Sequence, residues 1–243
     1  MQANYEINKK ENIYFALKVV FGIIGYGLIL LYAKLIMESD KEPVFTVLII
    51  YSVMILLFLF FRLGILVGYI KGNAVKVTNE QFPNLYNILL AQCNALHISS
   101  VPDMYLLQSG GLLNAFATSF MGSNYIVLYS EIADEMFEDN MATVEFVIGH
   151  ELGHIKRKHL LKKLLTFPSF FVPFLGGAYS RACEYTCDNI GASVAPNGVR
   201  SGLILLAAGK KMWTKVNIEK FTQQENTERG FWFWFAEKVS THP

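Results

Sequence analysis

The chain is poor in several things that would each point somewhere definite. It has three cysteines, Cys93, Cys183 and Cys187, in 243 residues. An odd, small number with no CxxC pair argues against a disulfide framework. Cys183 and Cys187 are four apart, so on a helix they are neighbours. The plain reading is buried or half-buried thiols in a reducing compartment. Charge excess is missing too: Lys+Arg 21 against Asp+Glu 20 leaves a net +1. No broad field therefore favours nucleic acid, and the basic residues form no stripe or recognisable nucleic-acid motif, so no nucleic-acid partner is expected. No internal repeat or low-complexity tract is present, which excludes solenoids.

What the chain does have is apolar residues, 53% of the total, unevenly spread. Val44 to Phe61 reads VFTVLIIYSVMILLFLFF without a charge, and Leu63 to Ile70 continues it after Arg62. About 20 apolar residues span a bilayer core as a helix. A soluble core helix would keep a polar face, and this one has none. Ile13 to Met37 is a second span, with an uninterrupted part from Val19 to Ala33. Lys18 and Lys34 flank that part, placed to snorkel toward headgroups. Glu38-Ser39-Asp40-Lys41-Glu42-Pro43 links the two spans, which predicts a helical hairpin across the membrane rather than a cleaved signal peptide. The link holds only Lys41 beside three acids, whereas Lys9, Lys10, Arg62, Lys71 and Lys76 lie outside it. The positive-inside rule puts both ends of the hairpin in the cytoplasm. Residues 1–70 are thus expected to be an anchor in the cell membrane, with spans near 13–37 and 44–70, and residues 71–243 a domain facing the cytoplasm. A third apolar stretch, Leu164 to Tyr179 (LLTFPSFFVPFLGGAY), is too short and too broken by Pro168 and Pro173 for a regular span. It either dips into the membrane, packs on the anchor or serves as a buried connector. The basic run just before it, Lys156 to Lys158 and Lys162-Lys163, suits headgroups.

From about Lys71 the composition turns ordinary. Thr78 can cap a helix running to about Leu96 with Pro83 in its early turns. Met104 to Gln108 is a short strand. Asn114 to Phe120 and Tyr125 to Ser130 read as a hairpin about Met121 to Asn124. Asn140 to Leu165 reads as one long helix, and Ser180 to about Ala195 as another with Ser180 at its N-cap. The expected class is α+β: a transmembrane helical hairpin, then a mainly helical domain with a small sheet.

His150-Glu151-Leu152-Gly153-His154 is an H-E-x-x-H motif. Four residues make just over one helical turn, so both imidazoles leave one face and can hold one metal. Zinc accepts imidazole nitrogen readily and lowers the pKa of a bound water toward ~7. Glu151, offset around the helix, can take that water's proton. The plain alternative is a helix with two polar surface histidines. A hydrolytic zinc site needs a third protein ligand and an open position. Glu184 is the candidate, with Asp188 one turn later to orient a ligand histidine; taken bare, such a pair is usually a solvated helix face. His159, five residues past His154 in a basic run, reads as a surface residue.

These motifs resemble the HtpX-like and CAAX prenyl protease group of membrane zinc metallopeptidases. The matching stretches are Asn114-Ala115-Phe116-Ala117, His150 to His154, Ser180 to Asp188 running into Gly191-Ala192, and Ser240-Thr241-His242-Pro243, in the family's order. The resemblance implies one zinc per chain on His150, His154 and Glu184, with Glu151 as general base. It also implies a supporting role for Arg181 beside Asp188, and a substrate edge strand at Asn114, Ala115 and Phe116. His242 resembles a histidine that faces the tetrahedral intermediate. The implied partners are the lipid bilayer and a polypeptide laid down as an extended strand. The implied activity is endopeptidase action on membrane or membrane-adjacent proteins, in quality control; a catalytically silent zinc-holding scaffold or holdase is the alternative. Three departures stand out. Cys187 replaces the usual alanine. The interval from His154 to Glu184 is shorter than the HtpX pattern, which has two spans there. The family usually continues past the position of Pro243 through an arginine-bearing helix, so either the chain is truncated or that element is missing.

Overall fold

A computed structural model describes residues 3–38, 42–108, 110, 114–134, 140–209, 212–227 and 230–239. Two long helices come first, α1 (Lys9–Met37) and α2 (Glu42–Asn73). Both are long and apolar enough to cross a membrane, and the most apolar part of α2 has none of its residues buried inside the protein. That much uncovered Leu, Ile and Phe is tolerated only where lipid covers it. Lys34 is exposed and pairs with Glu38 at 3.6 Å. Lys18 departs from the expected snorkel: it is buried, and its Nζ donates to Ser169 Oγ at 2.8 Å.

The remainder is α+β. β1 (Val75–Lys76), β2 (Asp103–Leu107), β3 (Ala115–Phe120) and β4 (Ser123–Tyr129) form a sheet in the order β1-β2-β4-β3, with β2 and β4 parallel and the other pairs antiparallel. Side chains alternate between its faces. Met104, Ile126 and Leu128 join a core with Leu85 and Leu89 of α3 (Pro83–Ala95) and with Val144, Ile148 and Leu152 of α5 (Met141–Lys156). Tyr105, Leu107, Tyr125 and Val127 face the other way, onto Val67 and Ile70 at the end of α2. The sheet is therefore clamped between the helix carrying the H-E-x-x-H motif and the foot of a membrane helix. The N-terminal residues are stitched on as well: Ala3 N–H donates to Ala95 O, and Asn189 Nδ2 to Glu6 O.

The helical signals hold, with shifted ends. The hairpin turn is two residues long, with Met121 (φ 50°) and Gly122 (φ 84°) both left-handed. That is the turn geometry matching strand twist, so β4 starts at Ser123 rather than Tyr125. Thr78 caps a turn, accepting from Gln81 N–H, while α3 starts at Pro83 after Phe82. The long helix expected from Asn140 to Leu165 is broken: Lys158 takes φ 54°, and α6 (His159–Leu165) sets off in a new direction. α7 (Leu175–Val194) starts before Ser180, which lies inside it rather than at its cap. Between α6 and α7 the apolar stretch forms a 3₁₀ turn, Phe167–Phe171, against α1. α4 (Ser130–Ala133) follows β4, and α8 (Val199–Ala208), α9 (Ile218–Thr227) and α10 (Phe231–Val239) complete the described chain.

Candidate metal centre

α5 and α7 carry the predicted ligands, and glycine lets them approach. A Cβ on Gly149 would sit 3.0 Å from Gly191 Cα, and one on Gly153 would sit 3.1 Å from Cys187 Cα. Close packing at these two points brings the histidine face of α5 against the acidic face of α7.

The result is a triangle of donor atoms. His150 Nε2 lies 3.3 Å from Glu184 Oε2, His154 Nε2 lies 3.6 Å from the same oxygen, and the two Nε2 atoms are 3.3 Å apart. Ligands about 2.0–2.1 Å from a tetrahedral zinc ion stand roughly 3.3 Å from one another. The three side chains are therefore spaced to fit a single ion, and two imidazoles with a carboxylate are donors that zinc accepts. Asp188 Oδ1 meets His150 Nδ1 at 2.8 Å. A carboxylate there fixes the proton on Nδ1 and turns the Nε2 lone pair toward the metal position.

The electrostatics call for a cation. Burial opposes ionisation of Glu184, but hydrogen bonds from His150 and His154 outweigh it and hold its carboxyl well below the usual range. Burial likewise opposes a charge on His150, yet Asp188 and Glu184 push its pKa up to about 10. Surroundings that grip a proton this firmly also favour a metal ion, which satisfies the same acids with the imidazole neutral. Cys187 Sγ also stands within 4.8 Å of ligand atoms of His150 and His154. It is the weaker donor, because burial and nearby Glu184, Glu151 and Asp188 raise its pKa well above the thiol norm and disfavour the thiolate.

Glu151, next to His150 on α5, is buried. Arg181 is half-buried on α7, three residues before Glu184. Asn114 immediately precedes β3 and is exposed; its carbonyl accepts from Tyr129 N–H at 3.1 Å, extending the ladder by one rung. Ala115 and Phe116 begin β3, which sits at the sheet edge and packs on α5. His242 lies outside the described residues.

Two residues went unrecognised in the sequence. His159 is not at the surface; only 2% of it is exposed, and Glu11 of α1 is fully buried beside it. His154 Nδ1 meets His159 Nδ1 at 3.0 Å, and His159 Nε2 meets Glu11 Oε1 at 3.3 Å. Burial pushes the His159 pKa down despite Glu11, which favours a neutral ring. The hydrogen roles then follow from the network. Nε2–H of His159 donates to Glu11, so its Nδ1 accepts from Nδ1–H of His154. That leaves the Nε2 lone pair of His154 for the metal, as Asp188 does for His150. Glu11 Oε1 also accepts from Arg157 Nη2 at 2.9 Å and Lys162 Nζ at 3.3 Å. The left-handed Lys158 is what folds His159 back under His154. An acid directly after two lysines, Lys9 and Lys10, in the first turn of an apolar helix was the available signal.

Residues 79–173 match the model of peptidase family M48, a stretch that includes the H-E-x-x-H motif and ends before Glu184. The chain is 28% identical over 172 residues to the plastoglobule-localized metallopeptidase 48 of Arabidopsis thaliana, covering 63% of this chain and 48% of that protein. It is 28% identical over 149 residues to a protease HtpX homolog of Streptococcus uberis, covering 61% and 48%. It is 34% identical over 65 residues to a CAAX prenyl protease 1 homolog of Dictyostelium discoideum, covering 27% and 15%. The chain thus spans about half the length of the first two relatives. The crystal structure of S. mikatae Ste24p aligns with 98% of this chain and 65% of its own, at 14% identity and a TM-score of 0.46. The resemblance to the HtpX-like and CAAX prenyl protease group holds in the family-model match and in the relatives named as an HtpX homolog and a CAAX prenyl protease 1 homolog.

Proposed function

We propose that this chain is a membrane-anchored, zinc-dependent endopeptidase whose catalytic domain, residues 71–243, faces the cytoplasm behind an anchor formed by residues 1–70. The carrying observation is the triangle of His150 Nε2, His154 Nε2 and Glu184 Oε2 at zinc spacing, with buried Glu151 one residue from the first ligand. Zinc held there supplies Lewis acidity, polarising a carbonyl oxygen and bringing the pKa of a water toward ~7. With the ion in place, Glu151 would accept a proton from the attacking water and return it to the departing amine. Asp188 and His159 hold the two ligand rings and Arg181 supports the acidic face of α7; for His242 the resemblance implies a role in stabilising the attacked carbonyl. A polypeptide pairs in extended form with the edge strand at Asn114, Ala115 and Phe116. β3 leads from α5 toward α2, where the rings of Phe120 and Phe60 lie 5.4 Å apart. That course suits membrane and membrane-adjacent proteins as substrates, and the HtpX-like resemblance suggests quality control as the role.

The test is metal content with proteolysis on detergent-purified protein. About one zinc per chain is expected. Glu184→Ala should lose most of it, because two imidazoles leave the ion underliganded. Glu151→Gln should keep its zinc and lose cleavage of a casein-like substrate by orders of magnitude. Full zinc in the first variant removes Glu184 from the ligand set; undiminished cleavage in the second removes Glu151 as the base.

A further inference from the structure

The segment between α6 and α7 crosses no membrane, yet it lies against the middle of a helix that does. Its contacts with α1 run along one face. A Cβ on Gly22 would meet Thr166 Cα at 3.7 Å, and one on Gly25 would meet Pro168 Cβ at 2.8 Å. Phe21 and Phe171 pack edge to face with centroids 6.3 Å apart, and Tyr26 Oη donates to Leu165 O at 3.2 Å. Lys18 closes the near end through Ser169. Gly22 and Gly25 are three apart and form a notch, the small-residue device by which helices pack closely in lipid. From Lys18 to Gly25 is about 10 Å along a helix. If α1 spans, the loop occupies that depth too.

The outward face agrees. Leu164, Leu165, Phe167, Phe170, Phe171 and Phe174 are all exposed, Phe170 to 72%. A patch this apolar continuing the surface of a membrane helix meets the medium that the helix meets. Beyond it, Phe235 of α10 stands edge-on to Phe174 at 6.2 Å, and Trp232 and Trp234 of α10 are exposed. Tryptophan gathers at the bilayer interface for its mixed character.

Non-helical backbone at membrane depth is tolerated where its polar groups find partners in the protein. Here they do. Pro168 and Pro173 bring no N–H. Thr166 Oγ1 donates to Lys162 O at 2.8 Å, and Ser169 Oγ to Thr166 O at 2.7 Å. Ser169, Val172 and Leu175 donate their N–H groups to Thr166, Ser169 and Pro173 carbonyls. The irregular sequence that spoils a span is thus suited to a turn in lipid.

We propose that residues 160–174 form a re-entrant loop that inserts into the bilayer leaflet on the domain's side, seated on the Gly22–Gly25 notch of α1, with acyl chains as the occupant of its aromatic face. Exposed Lys158 and Lys163 lie on the headgroup side. The loop leaves directly from His159, which touches His154, so the metal centre sits at the membrane surface. The inference rests on α1 spanning the membrane, not on peptidase activity.

The experiment uses full-length protein in phosphatidylcholine–phosphatidylglycerol vesicles, with an environment-sensitive NBD label on Phe170→Cys. Leu30→Cys on α1 serves as the in-membrane reference and Val101→Cys as the aqueous one; the native cysteines are buried. Position 170 should match position 30, with blue-shifted emission and quenching by acyl-chain nitroxide lipids several-fold stronger than by aqueous iodide. Gly25→Leu, which fills the notch, should move position 170 toward the iodide-quenched state while position 30 stays unchanged. Water-like emission at 170 overturns the proposal. So does a blue shift without lipid quenching that fades as the protein is diluted in lipid, because the occupant is then a second copy of the chain. Neither readout needs catalysis, so failure here leaves the zinc reading standing, and an inactive preparation leaves this one standing.

Discussion

His159 shows how a residue can be decisive and unreadable at once. Five positions past His154 on an unbroken helix, it points away from the metal face, and basic neighbours suggest solvent. One left-handed residue, Lys158, reverses that assignment. That His150 would share a face with His154, and Glu184 with Asp188, could be read from the sequence because a helical spacing of four sets side chains on one face. The role of Glu11 could not be, since its partners Arg157, His159 and Lys162 lie about 150 positions away and only the fold brings them together. The network makes a prediction. His159→Ala frees the His154 ring to rotate and removes the acceptor that fixes its tautomer. Loss of such an outer partner costs about 10- to 100-fold in metal affinity or activity. The variant should bind zinc that much more weakly in a chelator competition, and His159→Gln, which keeps an acceptor and a donor, should recover part of the loss. Zinc affinity equal to wild type in folded His159→Ala would leave the residue a packing role alone.

Among elements, the sequence predicted kinds better than ends. The α2 span, the edge hairpin and the two ligand helices were readable because apolar periodicity and turn composition are local signals. The breaks were not: the first turn of α7 includes Gly176 and Gly177, which local propensity disfavours, and packing against its neighbours holds it. The α5–α7 contact was equally hidden, although its cause stands in the motif itself. Gly153 of His150-Glu151-Leu152-Gly153-His154 faces the backbone of Cys187, and an added Cβ would lie 3.1 Å from Cys187 Cα. Backbone cannot swing aside as a side chain does, so α7 must retreat by a few tenths of an ångström. Overpacking of this kind costs about 1–3 kcal/mol. Glu184 and Asp188 ride on α7, so Gly153→Ala should lower the melting temperature and also weaken zinc binding. A lowered melting temperature with unchanged zinc affinity would mean that the ligand triangle tolerates a wider helix spacing than proposed.

At the scale of the whole molecule, one end of the membrane hairpin carries the rest of the described chain. The start of α1 is tied to α7, with Asn8 N–H on Thr186 Oγ1 at 3.1 Å, and the end of α2 packs under the sheet through Val67 and Ile70. Met37 and Glu42, where α1 ends and α2 begins, are at the other ends of the two helices. An arrangement of this kind has two orientations in a bilayer, and the charges choose between them. Lys9, Lys10, Arg62, Lys71 and Lys76 lie at the domain end, and Lys41 alone lies in the link beside Glu38, Asp40 and Glu42. Basic residues within short distances of span ends are retained on the cytoplasmic side, and acids count for little. With Lys34 counted at the link end of α1 the bias is five to two, and it supports the proposed placement of the domain in the cytoplasm, a setting that suits three buried free thiols. A reporter inserted after Lys76 should behave as cytoplasmic, and one inserted at Ser39 should be exported. The decisive variant adds charge rather than removing it: three lysines inserted at Ser39, with Lys9 and Lys10 changed to Gln, should send a fraction of molecules in inverted. A Ser39 reporter on the cytoplasmic side in the unaltered chain would overturn the orientation. It would also move the proposed metal centre and the proposed re-entrant loop to the opposite leaflet, where the substrates within reach are different ones.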